Sequence, residues 1–283
     1  MSELATLHPF APAFVARYVA AVRGDGVPGE LLPSDPVWAE HELARARQGY
    51  GRTGGNESGA NAVSFGLARV LGAVEPIFYL PGLGFTQLEA KVDRGIGMLL
   101  RPPSRLFADA GLETAVARAM PIRVDASGGM MGGAFIPSAL TPQFRDLLEQ
   151  RMERLARRIA EAEMDAPALL GALMQAAAYA AERGYGLYEA VDVFVPDVPE
   201  SAPPGMRLVI PDRKRLDRAL RARLEEASRP PKEPGMLARL FRRGNAPRPR
   251  EPDADRRWRG MNDVTPPPEP RPAPPDAERK GRP

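Results

Sequence analysis

The sequence has no cysteine. That absence excludes disulfides, thiolate metal sites, iron–sulfur clusters and cysteine nucleophiles, and with them a large part of redox chemistry. Histidine is nearly absent as well, because His8 and His41 are the only two. His41 is followed by Glu42, as in zinc proteases, but Arg45 stands one helical turn on, where the second zinc ligand would be needed. We therefore expect His41 to be a surface residue of a helix, and we expect no metal and no cofactor.

Long apolar runs are missing too. The longest, residues 166–181, contains Gln175 and is shorter than a membrane-spanning helix, which needs about 20 apolar residues. We interpret it as a buried helix and expect no transmembrane segment. Residues 1–10 lack the basic start and the long apolar stretch of a secretory signal. We expect a cytoplasmic protein, either free or peripheral at the inner membrane surface.

Lysine is scarce, and arginine supplies almost all of the 39 basic residues. The charge is uneven: residues 229–283 hold 14 basic and 8 acidic side chains, a net +6, which leaves −3 for residues 1–228 out of the total of +3. Because the arginine preference accompanies a high content of alanine, glycine and proline, we attribute it to composition rather than to nucleic-acid binding. Nucleic acid is not an expected partner.

The chain divides into two parts by composition. Residues 1–228 contain the apolar periodicity of a folded body and are predicted to form a single α+β domain. Residues 229–283 are basic and proline-rich and cannot bury enough apolar surface to fold alone. We predict that this second part is a disordered tail.

Helical and strand patterns alternate within the body. Helical spacing predicts helices over 11–22, 37–48, 60–72, 113–119, 141–164, 165–184 and 212–228. Short runs of strand-forming residues predict strands over 77–80, 85–92, 96–100, 121–124, 134–140 and 191–195. The fold class is therefore α+β, with an antiparallel sheet of about five strands packed by two or more long helices.

Two glycine-rich segments, 49–59 and 127–133, are predicted to be loops. The first formally contains three glycines in the dinucleotide-binding spacing, but a helix precedes it where that chemistry requires a strand. A mobile loop is the favoured interpretation of the first segment, and a turn or bulge that of the second. The alternative is a ligand site that also uses carboxylates such as Glu89, Asp93 and Asp125, for which a solvated strand face is the simpler explanation.

The helix predicted from Thr141 has an arginine-bearing face. Thr141 and the following proline suit a helix start, with the threonine oxygen as the cap. Glutamates interleave with the arginines, and Glu153 is spaced to pair with Arg157 four residues on. A solvated, self-compensated face is favoured over a phosphate-binding face.

One short segment of the tail, residues 235–244, is more apolar than the rest of the tail. It carries four apolar side chains beside three arginines: Met236, Leu237, Leu240 and Phe241 with Arg239, Arg242 and Arg243. Leu237, Leu240 and Phe241 are spaced to share one helix face. Such a segment suits an anionic membrane surface or the groove of a protein partner, and folding back onto the body is the structural alternative.

These patterns favour a non-enzymatic cytoplasmic interaction or adaptor protein, with the tail segment as a weak tether to a membrane surface or partner. The alternative is an enzyme or small-ligand-binding domain that uses the glycine-rich loops 49–59 and 127–133. No nucleophile elbow, Ser-x-x-Lys pair or phosphate-binding loop of the Walker type occurs in the sequence.

Overall fold

A five-stranded sheet forms the centre of the protein. The computed structural model describes residues 4–53, 57–81, 84–85, 88, 92–120, 133–191, 193–194, 202–210 and 218–229. The strands are β1 (Leu4–Phe10), β2 (Ile77–Pro81), β3 (Phe135–Ile136), β4 (Gly186–Val191) and β5 (Leu208–Val209). Their order in the sheet is β3-β4-β1-β2-β5, so β1 and β4 are central strands.

The α+β prediction is confirmed, but the sheet is mixed rather than antiparallel. Four strands pair antiparallel, whereas β5 runs parallel to β2. No two neighbouring strands are joined by a tight hairpin, because helices intervene between every pair. Without hairpins the direction of an added strand is not dictated by its predecessor, which is why local turn signals did not reveal the parallel edge.

Ten helices are described. They are α1 (Pro12–Arg23), α2 (Pro28–Leu31), α3 (Pro36–Thr53), α4 (Glu57–Val74), α5 (Arg94–Gly97), α6 (Pro103–Asp109), α7 (Thr114–Arg118), α8 (Thr141–Glu161), α9 (Ala166–Arg183) and α10 (Arg218–Ser228), with a 3₁₀ turn at Ser138–Leu140. Several begin at a proline, whose missing N–H costs nothing in a first turn. Asp165 caps α9 by accepting a hydrogen bond from the backbone N–H of Ala168 at 3.1 Å, and Gly184 ends it with φ 66°.

The helices cover both faces of the sheet. One buried cluster joins Leu7, Phe78 and Leu187 to α8, α9 and α10, and we call this the α9 side. The other joins Phe10, Ile77 and Tyr188 to α1, α3, α4, α6 and α7, and we call it the α4 side. Successive strand residues point to opposite faces, so alternate residues of β1 supply the two cores.

Helix α9 is apolar almost all round because it is covered on several sides, as predicted. It packs against β1, β2 and β4 on the sheet and against α8 and α10 beside it. Along the parts of the chain that the structure describes, no helix is both long and apolar enough to span a membrane.

Two predicted strands are wrong, β1 and β5 were missed, and β4 was predicted only at its last residue. Phe85 and Leu88 are helical, and the run 96–100 begins inside α5. Short apolar runs of this kind fit a buried strand and a buried helical turn equally well. The prediction over 134–140 is confirmed only at β3, since Pro137 is followed by the 3₁₀ turn, and 121–124 lies outside the described residues.

The prediction failed most at the two central strands, β1 and β4. β1 was overlooked because Thr6, His8 and Pro9 interrupt its apolar pattern, and β4 was predicted only from Val191 onward. Pro9 is tolerated because β2 pairs only with residues 4–7 of β1, which leaves β4 alone beside Pro9.

The predicted loop 49–59 is helical at both described ends. Residues 49–53 complete α3 and residues 57–59 begin α4. A Cβ on Gly49 would lie 2.2 Å from the Cβ of Ala62, so the missing side chain lets α3 and α4 pack closely. The glycine at this position is explained by helix packing.

Candidate functional site

The tail residues singled out from the sequence lie outside the described residues. They are Met236, Leu237, Arg239, Leu240, Phe241, Arg242 and Arg243. Glu89, Asp125 and nearly all of segment 127–133 also lie outside them, and only Gly133 of that segment is described. The candidate sites on the body are therefore built from other groups.

Buried polar side chains cluster on the two central strands. Thr6 and His8 on β1 are 1% exposed, and Tyr188 and Glu189 on β4 are fully buried. Thr6, His8 and Tyr188 lie on the α4 side, whereas Glu189 lies opposite Leu7 on the α9 side. Polar groups this deep need hydrogen-bond partners or a function.

The bonds around His8 determine its tautomer. The hydroxyl of Thr6 donates its only proton to the carbonyl oxygen of Ala190 at 3.1 Å. It therefore accepts the 2.9 Å hydrogen bond from Nε2 of His8, which places the imidazole proton on Nε2. Nδ1 of His8 is a buried acceptor with no hydrogen-bond partner among the described residues. Burial lowers the pKa of His8 to about 3, so the imidazole is neutral in the folded protein.

The neighbouring hydroxyls tie α4 and α1 together and to the sheet. Oγ of Ser64 and the hydroxyl of Tyr188 are 2.6 Å apart, and the hydroxyl of Tyr18 donates to the carbonyl oxygen of Val63 at 2.7 Å. Burial raises the pKa of both tyrosines, which keeps them protonated. The described bonds of Ser64 and His8 go to other partners, so they do not form a nucleophile–base pair.

Glu189 is held in a cradle of backbone on the α9 side. Its carboxylate accepts hydrogen bonds from the backbone N–H of Phe85 at 2.5 Å and of Ala134 at 3.1 Å. A Cβ on Gly84 would lie 1.9 Å from Oε1, and one on Gly133 would lie 2.3 Å from Oε2. Both glycines are thus required by the close approach of the carboxylate.

Sequence reasoning missed Glu189, although a signal was present. A single glutamate stands in the otherwise apolar run Gly186–Val191, and such a residue is either a strand-edge charge or a buried, bonded one. The described glycines Gly49 and Gly133, one from each glycine-rich segment, lie on opposite sides of the sheet. Gly49 packs against Ala62 on the α4 side, whereas Gly133 touches Glu189 on the α9 side.

Asp93 is buried rather than on a solvated strand face, so that prediction is wrong. It caps α5 by accepting a hydrogen bond from the backbone N–H of Gly95 at 2.7 Å. Its carboxylate also accepts from Arg151 at 3.0 Å and lies 3.8 Å from Nε of Arg154. Two arginines of α8 are thereby fixed beside a helical turn at the surface.

The arginine face of α8 continues onto α10. Arg151, Arg154, Arg157 and Arg223 line a surface concavity of about 370 Å³ together with Glu149 and Glu153. Glu153 lies 3.5 Å from Arg223 of α10, so the predicted pairing with Arg157 is wrong. The tertiary neighbour offers the carboxylate a partner that spacing along α8 could not reveal. A groove of about 800 Å³ then extends between the two helices as far as Arg229, the last described residue.

Two further predictions concern helix residues. Thr141 does not cap α8; it is buried, and its hydroxyl hydrogen-bonds to the carbonyl oxygen of Tyr185 at 2.7 Å, which ties α8 to the start of β4. His41 is a surface residue of α3, as expected. Its neighbour Glu42 is buried, and its carboxylate accepts a 2.8 Å hydrogen bond from Arg69 of α4.

Within the described ranges, no three histidine, aspartate or glutamate side chains come together as metal ligands would. Comparisons with protein-family models, with curated proteins and with solved structures find no match to this chain.

Proposed function

We propose that this is a non-enzymatic interaction protein whose tail segment, residues 235–244, tethers it weakly to the anionic, cytoplasmic face of a membrane. A protein partner's groove is the competing target for the same segment. The observation that carries the proposal is the composition of the segment: three apolar side chains spaced for one helix face, flanked by three arginines, in a tail that is otherwise polar.

The position of the end of the body supports this assignment. α10 ends at Ser228 and packs on α8 through Leu224. The chain therefore leaves the body beside the arginine face of α8. Met236 follows Arg229 by seven residues, which span at most about 24 Å when fully extended. A tail segment bound to an anionic surface would keep that face of the body close to it.

The expected affinity is low. Burying the four apolar side chains contributes at most about 6 kcal/mol, and each arginine near an anionic surface adds about 1 kcal/mol. Ordering a helix that is unstable alone in water removes much of this. The net dissociation constant is therefore roughly micromolar to millimolar, and a second contact would strengthen it.

Liposome flotation tests the proposal. We expect the intact chain to float with anionic and not with neutral liposomes, and the double change Leu240→Asp with Phe241→Asp to abolish flotation. A truncation after Ser228 retains every described core residue and should behave like the double variant. Absence of flotation under every lipid composition would reject the membrane tether and leave a partner groove, or docking onto the body, for the segment.

An enzyme or small-ligand function is the second candidate, and the Glu189 cradle is the observation that favours it. The described end of segment 127–133 lies at this buried carboxylate. If the protein binds a small molecule at this cradle, that molecule should raise the melting temperature of the unchanged protein. It should not raise the melting temperature of the Glu189→Gln variant. A screen in which no compound separates the two proteins counts against this function.

A further inference from the structure

We propose that residues 94–101, here called the Met98 turn, form a second contact of this protein with an anionic membrane surface. The inference rests on the proposed function, because it supplies the second contact that a weak tail tether requires. The observation behind it is an exposed methionine, held in a turn that contains two arginines and lies beside two arginines of α8.

The turn presents Met98 outward while anchoring its neighbours. Ile96 and Leu100 are buried in the core of the α9 side, whereas Met98 is 70% exposed. Backbone hydrogen bonds from Met98 to Gly95 and from Leu99 to Ile96 close the turn. Its geometry is therefore set by the core beneath, so the exposed side chain is presented without the ordering cost that a loose loop would incur.

Four arginines lie in the Met98 turn or bind Asp93 directly before it. Arg94 is exposed at the start of α5, and Arg101 donates a 2.9 Å hydrogen bond to the carbonyl oxygen of Met98. Arg151 and Arg154 extend from α8 and lie 3.0 and 3.8 Å from the carboxylate of Asp93, the residue directly before the turn. Among these described residues, the four arginines carry four positive charges and Asp93 carries one negative charge.

Two exposed glutamates border the surface but have arginine partners of their own. Glu149 lies 4.0 Å from Arg145, and Glu153 lies 3.5 Å from Arg223. The excess positive charge therefore remains at the Met98 turn. An exposed apolar side chain in an arginine-bearing turn suits the interface of an anionic bilayer, where the methionine enters the headgroup region and the arginines remain at the phosphates.

The Met98 turn and the tail can reach one surface together. Arg151 lines the first concavity on α8 and Glu161 lines the second, and about 15 Å of helix separates them. The body ends at Arg229 on the second of these concavities. Binding at both places raises the effective concentration of each contact at the membrane, so weak individual contacts give measurable attachment.

A fluorescence experiment tests this contact directly. The chain contains no cysteine, so a single introduced thiol can be labelled selectively. We place an environment-sensitive dye at Met98→Cys and, as the matched control, at Val37→Cys, which is 79% exposed and lies on the α4 side. Phosphatidylserine-containing vesicles should shift the emission of the dye at position 98 to shorter wavelength and leave the dye at position 37 unchanged.

The outcomes separate the two proposals. Flotation of the intact chain with no shift at position 98 would leave the tail tether standing and overturn the Met98 contact. A shift at position 98 that persists in the Leu240→Asp, Phe241→Asp background at low salt would support the Met98 contact even if the tail proved dispensable. Equal shifts at positions 98 and 37, or no shift together with no flotation, would overturn the Met98 contact.

A charge reversal gives a second readout. Arg94→Glu places an acidic residue in the first turn of α5, where a negative charge is compatible with the helix, so folding should be preserved. We expect it to weaken binding to anionic vesicles at least about fivefold, which corresponds to the contribution of one surface arginine. Arg17→Glu, an exposed reversal on the α4 side, is the control and should change binding less than twofold. Equal weakening by both reversals would contradict a localised contact.

Discussion

His8 should make the folded state sensitive to acid. Burial lowers the pKa of its imidazole to about 3, whereas an unfolded chain takes up the proton with a pKa of about 6.5. Above pH 7 both states are neutral and His8 contributes no pH dependence. Between pH 6.5 and 3 the unfolded state binds the proton and the folded state does not, so stability falls as the pH is lowered.

The size of the effect follows from the same two pKa values. Each pH unit within this window removes about 1.36 kcal/mol, so lowering the pH from 7 to 5 should reduce the free energy of unfolding by about 2 kcal/mol. The complete loss below pH 3 would be about 5 kcal/mol, a large fraction of the stability of a typical domain. Urea unfolding at pH 7 and at pH 5 measures the difference.

Two variants assign the effect to its residue. His8→Leu removes the buried imidazole, so the free energy of unfolding should no longer fall by about 2 kcal/mol between pH 7 and pH 5 on account of this residue. The control His41→Gln, at the other histidine, should keep that difference. Titration of His8 by NMR provides a measurement that needs no variant. An imidazole that titrates with a midpoint near 6.5 in the folded protein would refute the reasoning, because it would mean that Nδ1 accepts a proton without cost.

Two other changes test the packing. Glu42→Gln removes the charge partner of Arg69 in a buried pair, and chemical denaturation should show a loss of about 3–5 kcal/mol, against less than about 1 kcal/mol for the exposed control Arg45→Ala. Similar losses for both would contradict the buried pair. Gly133→Ala forces a Cβ against the carboxylate of Glu189, so its melting temperature should drop, with about 1–3 kcal/mol lost to overpacking; an unchanged melting temperature would show that the cradle is loose.

The helices were largely predictable from the sequence because their signals are local. The 3.6-residue period and the terminal residues lie within one continuous segment, as Asp165 and Gly184 show for α9. The same local signal failed at Thr141, whose hydroxyl hydrogen-bonds to a carbonyl oxygen 44 residues away rather than to its own first turn. A cap motif is only a preference that a tertiary hydrogen bond can override.

The central strands were not predictable by the same means. A strand is stabilised by its neighbours, and the partners of β1 are β2 and β4, which lie far along the chain. The polar residues of β1 and β4 interrupt the apolar pattern, and their hydrogen-bond partners are distant in sequence. Thr6 donates to the carbonyl oxygen of Ala190, and Glu189 accepts from the amides of Phe85 and Ala134. Only the folded chain shows that these groups are satisfied in the core.

The sequence alone was enough to predict the fold class and most of the helices, and it shows the apolar, arginine-flanked segment at 235–244. These follow from composition and from periodicity within short stretches. Only the folded protein shows the parallel edge strand, the burial of Glu189 between two glycines and the contacts of two α8 arginines with Asp93 beside the Met98 turn. Each of these joins residues that are distant along the chain, and spacing in sequence carries no information about such distances until the sheet and the helices have packed.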